Sequence, residues 1–256
     1  MLIVIGLGTT LQSSQAQSET CPVSSLHAGF TFSIEHVDVD WACRLQEIIG
    51  NYTITTKVGP IRTGLSESLY RNLLDRPPLA AALINRLDLG LYKSEARGPG
   101  RFWGHDGEGT EGIVQLVFQD RTSRIYYLEG SHDSRLLPRI TGKAVVLSEN
   151  GFGERRRRDG SDGQYYGLLR EAGQSLPLGS GHFAAPVDRG TVKRKLSKGV
   201  ETVNRLSRVM RQDPDRVLFE AMDPPALPDE DVAFVKQALE SLPHPGGATP
   251  SRTPSP

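Results

Sequence analysis

The chain has 256 residues, of which 37% are hydrophobic and 23% charged, so it can bury a sizeable core without metals or multiple disulfides. Lysine plus arginine and aspartate plus glutamate both number 30, so no net charge attracts nucleic acid. These numbers exclude a largely disordered chain and a general nucleic-acid binder, and any electrostatic argument has to come from local clusters.

The N-terminal segment predicts export. Residues 1–11 form an apolar run of signal-peptide length, and Ser14-Gln15-Ala16 offers small residues at both positions of a secretory cleavage site. We expect residues 1–16 to be a signal peptide and the protein to be periplasmic or secreted. No basic stretch precedes the apolar run, so either the true start lies upstream or, as the alternative, the run is a buried strand. In an oxidising compartment Cys21 and Cys43 are expected to form a disulfide, against the alternative of two reduced thiols.

Residues 17–242 are expected to form a single α+β domain. Hydrophobic spacing predicts a helix at 38–50, a strand at 52–58, and two short helices between Ser66 and Leu87 that Pro77-Pro78 separates. The β-rich centre then predicts an antiparallel sheet of about five strands, with a hairpin as its clearest part. The predicted strands are 92–103, 112–118, 124–129, 140–148 and, more weakly, 164–170.

The last third predicts helices. Apolar residues at steps of three or four indicate one long helix at 188–212, followed by shorter helices at 215–222 and 229–242. An arginine-rich loop at 150–163 and an irregular stretch at 171–186 precede them. The tail at 243–256 has nothing to bury and is expected to be disordered.

No recognised catalytic motif is present, because no Gly-x-Ser-x-Gly nucleophile turn and no phosphate-binding glycine loop occurs. Metal ligation is conceivable at His36-Val-Asp38-Val-Asp40, at His105-Asp106 and at His132-Asp133. The competing interpretation is that the aspartates cap a helix and that the His-Asp pairs stabilise turns. We therefore predict no metal, no cofactor and no catalytic residue.

The long helix carries a basic face, which predicts transient contact with an anionic membrane surface. The alternative is an ordinary solvated face whose apolar stripe covers a sheet. The residues assigned to this basic face are Lys193, Arg194, Lys195, Lys198, Arg205 and Arg208.

The order of elements across residues 52–212 resembles the helix-grip proteins, the START-like or Bet v 1-like superfamily. The segments that carry the resemblance are the double helix at 66–90, the hairpin at 112–130 and the helix at 191–212. The resemblance implies an antiparallel sheet gripped by the long C-terminal helix. The extra helices expected at both ends of the domain depart from it, because the minimal helix-grip fold does not need them. It also implies a cavity for lipids or other apolar molecules between sheet and helix.

The hairpin strand at 124–129 leaves one question open, because either Tyr126 and Leu128 or Ile125 and Tyr127 face the long helix. Position and chemistry make five residues the candidates for ligand contact: Trp103, Tyr126, Tyr127, Arg139 and Val203.

The expected function is that of an exported carrier or sensor for a hydrophobic small molecule or lipid. One alternative is a non-enzymatic interaction or envelope module with a filled core. Another is a cyclase-like or hydrolase-like enzyme on the same fold, which would place His105 or His132 beside a carboxylate inside the cavity.

Overall fold

The computed structural model describes residues 26–27, 30–31, 36–63, 65–133, 139–151, 161–170 and 189–242. The predicted signal peptide at 1–16, Cys21, the irregular stretch at 171–186 and the tail at 243–256 lie outside the described residues. Most of the arginine-rich loop, including Arg155–Arg158, lies outside them too.

The described part of the chain is α+β, as predicted. Its strands are β1 Leu26–His27, β2 Phe30–Thr31, β3 Ile54–Thr63, β4 Lys93–Gly98, β5 Arg101–His105, β6 Thr110–Gln119, β7 Ser123–His132, β8 Ile140–Gly151 and β9 Ser161–Arg170. Its helices are α1 Val39–Gly50, α2 Glu67–Asp75, α3 Pro77–Arg86, α4 Arg189–Gln212, α5 Pro214–Met222 and α6 Asp229–Glu240.

The helix boundaries follow local chemistry. Asp38 caps α1 by accepting the backbone N–H of Asp40, and Ser66 caps α2 by accepting that of Leu69. Pro77 occupies the first turn of α3, where a missing N–H costs nothing. The two prolines therefore begin the second helix as well as separating it from the first.

The predicted antiparallel sheet is present and has seven strands among the described residues, in the order β3-β9-β8-β7-β6-β5-β4. Two features raise the number above the expected five. Residues 92–103 divide into β4 and β5, because Gly98 and Gly100 take positive φ angles of 135° and 61° and turn the chain back. In addition β3 joins the sheet by pairing with β9, which places the first of these strands beside the last.

The two faces of the sheet are covered by different helices. On one face α1 buries Leu45, Ile48 and Ile49 against Ile125 and Val145. This arrangement gives α1 its own hydrophobic core, separate from the main helical core. Neighbouring strand residues point to opposite faces, so Tyr126 and Ala144 face away from α1.

On the other side, α2 to α6 form the main core. Leu206 and Met210 of α4 are fully buried in it, together with Leu83 of α3, Val217 of α5 and Val235 of α6. The C-terminal half of α4 is thus fixed by the helices that follow it. Its N-terminal half faces the sheet across a space that the described side chains do not fill.

Candidate functional site

A cavity of about 620 Å³ lies between the sheet, α3 and the N-terminal half of α4. This volume is in the range of small-molecule sites, which occupy about 300–1,000 Å³. Residues of β4, β5, β6, β7 and β8 form the floor, and α4 forms the roof through Val192, Lys195, Leu196, Gly199 and Val203. These roof positions recur at three or four residues and so belong to one face of the helix.

The walls of the cavity are mainly apolar. Leu73 and Ile84 approach from α2 and α3, Tyr126 and Leu128 from β7, and Val203 from α4. The open question of strand parity is therefore decided: Tyr126 and Leu128 face the long helix, whereas Ile125 and Tyr127 face α1. An apolar molecule would replace water along most of this surface, which is the main source of affinity in such sites.

A row of glycines crosses the cavity floor. Gly104 pairs with Gly112, Gly112 with Gly130 and Gly130 with Gly142, so four adjacent strands carry no side chain at the same level. All four residues line the cavity. A glycine inside a strand weakens the sheet and often marks a place where a ligand or another backbone comes close.

The glycines of the row are not all required for the same structural reason. A Cβ on Gly112 would stand 2.5 Å from the Glu129 carbonyl oxygen and 2.7 Å from the Gly130 Cα, so the close approach of two backbones requires glycine there. At Gly104 the nearest atom would be 3.8 Å away, and at Gly199 no atom of the described residues would lie within 4 Å. At these two positions the missing side chain leaves open cavity.

One end of the cavity carries a hydrogen-bonded polar cluster, defined as Asp106, Thr110, His132 and Lys195. Thr110 and His132 are directly paired on β6 and β7, and their side chains meet with 3.0 Å between Oγ1 and Nδ1. The Lys195 ammonium donates to Thr110 Oγ1 at 2.8 Å and to Asp106 Oδ2 at 2.6 Å. The cluster thereby ties the roof helix to the end of the floor.

Asp106 is the electrostatic centre of this cluster. Burial raises the pKa of its carboxyl, but hydrogen bonds from the Lys195 ammonium and from the backbone N–H groups of Thr110 and Glu108 outweigh burial and lower the pKa to about 2. Next to it Glu108 pairs with Lys198, and this hydrogen bond lowers the pKa of Glu108 and raises that of Lys198. Two acids of the β5–β6 loop thus neutralise two bases of α4.

Tyr126 lies at the opposite end of the cavity. It precedes His132 by six residues on β7, which at about 3.3 Å per residue separates the two residues by about 20 Å. Burial raises the pKa of the Tyr126 phenol, and the nearby Arg124 guanidinium only partly opposes this effect. Arg124 is itself 5% exposed and is held by Asp75 at 2.8 Å.

The structure brings two of the five predicted ligand residues together, because Tyr126 and Val203 both line the cavity. The other three lie outside its lining. Tyr127 packs on Trp41 of α1 with 5.3 Å between ring centroids. Trp103 stacks on His105, and Arg139 pairs with Glu111 at 3.0 Å. Whether any of the five contacts a ligand stays a prediction.

The predicted basic face of α4 is largely paired. Lys195 and Lys198 bind the β5–β6 loop, and Arg208 binds Glu201 at 2.8 Å. Arg194 donates to Thr191 and Arg205 to the Leu89 carbonyl. Lys193 is exposed. Contact with an anionic membrane stays a prediction, and Lys195 is placed at the cavity instead of the outer surface.

Several of the candidate metal residues have other partners in the structure. Asp38 caps α1, and His105 accepts the Gly107 backbone N–H at 3.0 Å, as in the turn interpretation. No group of three or more histidines, cysteines, aspartates or glutamates among the described residues is arranged to hold a metal ion. His132 has the Thr110 hydroxyl beside it instead of the carboxylate that the enzyme alternative requires.

Cys43 lies on α1, half-buried. Since Cys21 is outside the described residues, the disulfide stays a prediction.

No protein-family model matches this chain, and no curated protein or solved structure matches it either. Among the described residues, none of the helices combines the length and the apolar character needed to cross a bilayer. The geometry of the cavity is therefore what supports a function.

Sequence analysis missed the glycine row and the Thr110–His132 pair. Both arise from cross-strand register, which joins residues far apart in the chain. The available signal was a glycine two residues from a polar residue on both hairpin strands, Thr110-Glu-Gly112 and Gly130-Ser-His132. That signal has meaning only once the hairpin register is known.

Proposed function

We propose that this protein is a helix-grip carrier or sensor that binds a hydrophobic small molecule in the cavity between the sheet and α4. The strand order supports the helix-grip assignment, because β3 pairs with β9, α2 and α3 lie between β3 and the other strands, and the long helix follows. The observation that carries the function is the cavity itself, which is mainly apolar, of ligand size and not filled by any side chain of the described residues.

The position of Gly199 supports the proposal that the cavity is kept open. In the interior of α4, Gly199 costs up to about 1 kcal/mol relative to alanine. The described residues supply no packing reason for it, since an added Cβ would touch none of their atoms. A protein whose core was simply filled, as in the interaction-module alternative, would gain stability from a larger residue there.

The test is native mass spectrometry of the purified protein with extraction of bound lipid, applied to the wild type, Gly199→Phe and Gly199→Ala. We expect a discrete bound mass in the wild type, retained with Gly199→Ala and lost with Gly199→Phe, whose ring would occupy the cavity. If the wild type carries no bound mass and does not bind fluorescent fatty-acid probes, the interaction module becomes the better proposal.

Export is part of the proposal and rests on residues 1–16 alone. N-terminal sequencing of the protein from the periplasm or the medium tests it, with a mature chain starting directly after Ala16 as the expected result. Recovery of the chain from the cytoplasm with residues 1–16 still attached would contradict export without affecting the cavity.

A further inference from the structure

The polar end of the cavity indicates which class of ligand it takes. We propose that the ligand is an uncharged amphipathic molecule, with a hydroxyl group hydrogen-bonded to His132 and an apolar body lying over the glycine row. This inference rests on the proposed function, since it concerns the same cavity.

The two ammonium groups that α4 brings to this end of the cavity are neutralised. Lys195 is paired with Asp106 at 2.6 Å, and Lys198 is paired with Glu108, so both ammonium groups are already matched by carboxylates. Arg139 is not part of the lining; its side chain is half-exposed and is paired with Glu111. Lys93 and Lys143 also line the cavity, but their cross-strand pairing with His105 and Glu129 directs their side chains to the face opposite the glycine row. On the glycine-row side, a ligand carboxylate would therefore lose its water without gaining a cation, among the described residues, that lacks a carboxylate partner, which is costly. The arrangement thus favours an uncharged head group.

His132 supplies the hydrogen bond. Its Nδ1 is engaged by Thr110 Oγ1 at 3.0 Å, and no described residue engages its Nε2. In a neutral imidazole one nitrogen donates and the other accepts, and the tautomer decides which one faces the ligand. A hydroxyl group both donates and accepts, so it satisfies Nε2 in either tautomer.

The glycine row lies next to this hydrogen bond. Gly112 and Gly130 are two residues from Thr110 and His132 on their strands, on the same face of the sheet. From Gly104 to Gly142 the bare floor crosses four strands, or about 14 Å at about 4.8 Å per strand. An alkyl chain or a flat ring system anchored at His132 would lie across this floor with Val203 above it.

The experiment is displacement of the uncharged probe N-phenyl-1-naphthylamine by octan-1-ol, octanoate and octane, at a pH at which octanoate is ionised. It uses the wild type, His132→Phe and a matched control, His36→Phe. His36 is not part of the cavity lining and lies beside Phe118 on the α1 side of the sheet, with 6.0 Å between ring centroids. Circular dichroism confirms that each variant is folded.

In the wild type, we expect octan-1-ol to displace the probe at about tenfold lower concentration than octanoate. In His132→Phe, the ratio of octan-1-ol to octane affinity should fall by about two- to tenfold, the net effect of one neutral hydrogen bond. His36→Phe should leave that ratio unchanged.

Tighter binding of octanoate than of octan-1-ol, or an unchanged alcohol-to-alkane ratio in His132→Phe, would overturn the inference. Failure of the proposed function looks different. Either the wild type would not bind the probe at all, or Gly199→Phe would bind it as well as the wild type does, which would place probe binding outside the cavity.

Discussion

Gly199 gives the sharpest test of the cavity, because its substitution by alanine separates helix stability from cavity volume. Gly199 lies in the interior of α4, a helix of 24 residues. Alanine there should raise the free energy of unfolding by up to about 1 kcal/mol, because glycine carries the larger entropy cost in a helix. For a chain of this size, that corresponds to a rise in Tm of about 2–4 °C.

The assay is urea denaturation followed by circular dichroism, with Gly112→Ala as the matched control. At Gly112 the added Cβ would stand 2.5 Å from the Glu129 carbonyl oxygen, so this variant should lose about 1–3 kcal/mol. If Gly199→Ala instead destabilised the protein, the added methyl group would be clashing with atoms that already occupy the space beside α4. The proposal of an open cavity would then be wrong.

Three further predictions concern the groups around the cavity. Asp75→Asn removes the charge that holds the buried Arg124 guanidinium, and since Asp75 is itself 46% exposed, urea denaturation should show a loss of only about 1–2 kcal/mol; no measurable change would mean that water already solvates Arg124. Asp106→Asn should cost at most about 2 kcal/mol at neutral pH, because the pKa of Asp106 is lowered from 3.8 to about 2. Titration with a thiol reagent should find no free thiol in the denatured, unreduced protein and two after reduction, whereas two before reduction would exclude the bond between Cys21 and Cys43.

The Asp106 prediction also has a direction in pH. A carboxyl whose pKa is lowered by folding stabilises the protein above its unfolded value of 3.8, and this contribution disappears as the pH falls to about 2. The stability difference between wild type and Asp106→Asn should therefore be constant above about pH 5 and shrink between about pH 4 and pH 2. A difference independent of pH would show that the variant acts through packing instead of charge.

The sequence by itself determined most elements. Period-2 and period-3.6 patterns located the hairpin and the long helix, and Asp38 and Ser66 marked two helix starts through their capping side chains. The antiparallel character of the sheet also followed from the short turn between the hairpin strands. These features depend on interactions between residues close in the chain, which a sequence displays directly.

Only the tertiary structure decided which face of the sheet lines the cavity and which face packs against α1. The strand at 124–129 is apolar on both faces, since Ile125 packs under α1 while Tyr126 lines the cavity, so no alternation in polarity distinguishes them. The pairing of β3 with β9 also joins residues that are 98 to 115 positions apart.

The polar end of the cavity also depends on the tertiary structure. Lys195 appeared in the sequence as part of a solvated basic face, but the fold brings Asp106 and Thr110, 89 and 85 positions earlier, within hydrogen-bond distance of it. Such contacts come from the packing of α4 across the sheet, and no local pattern encodes them.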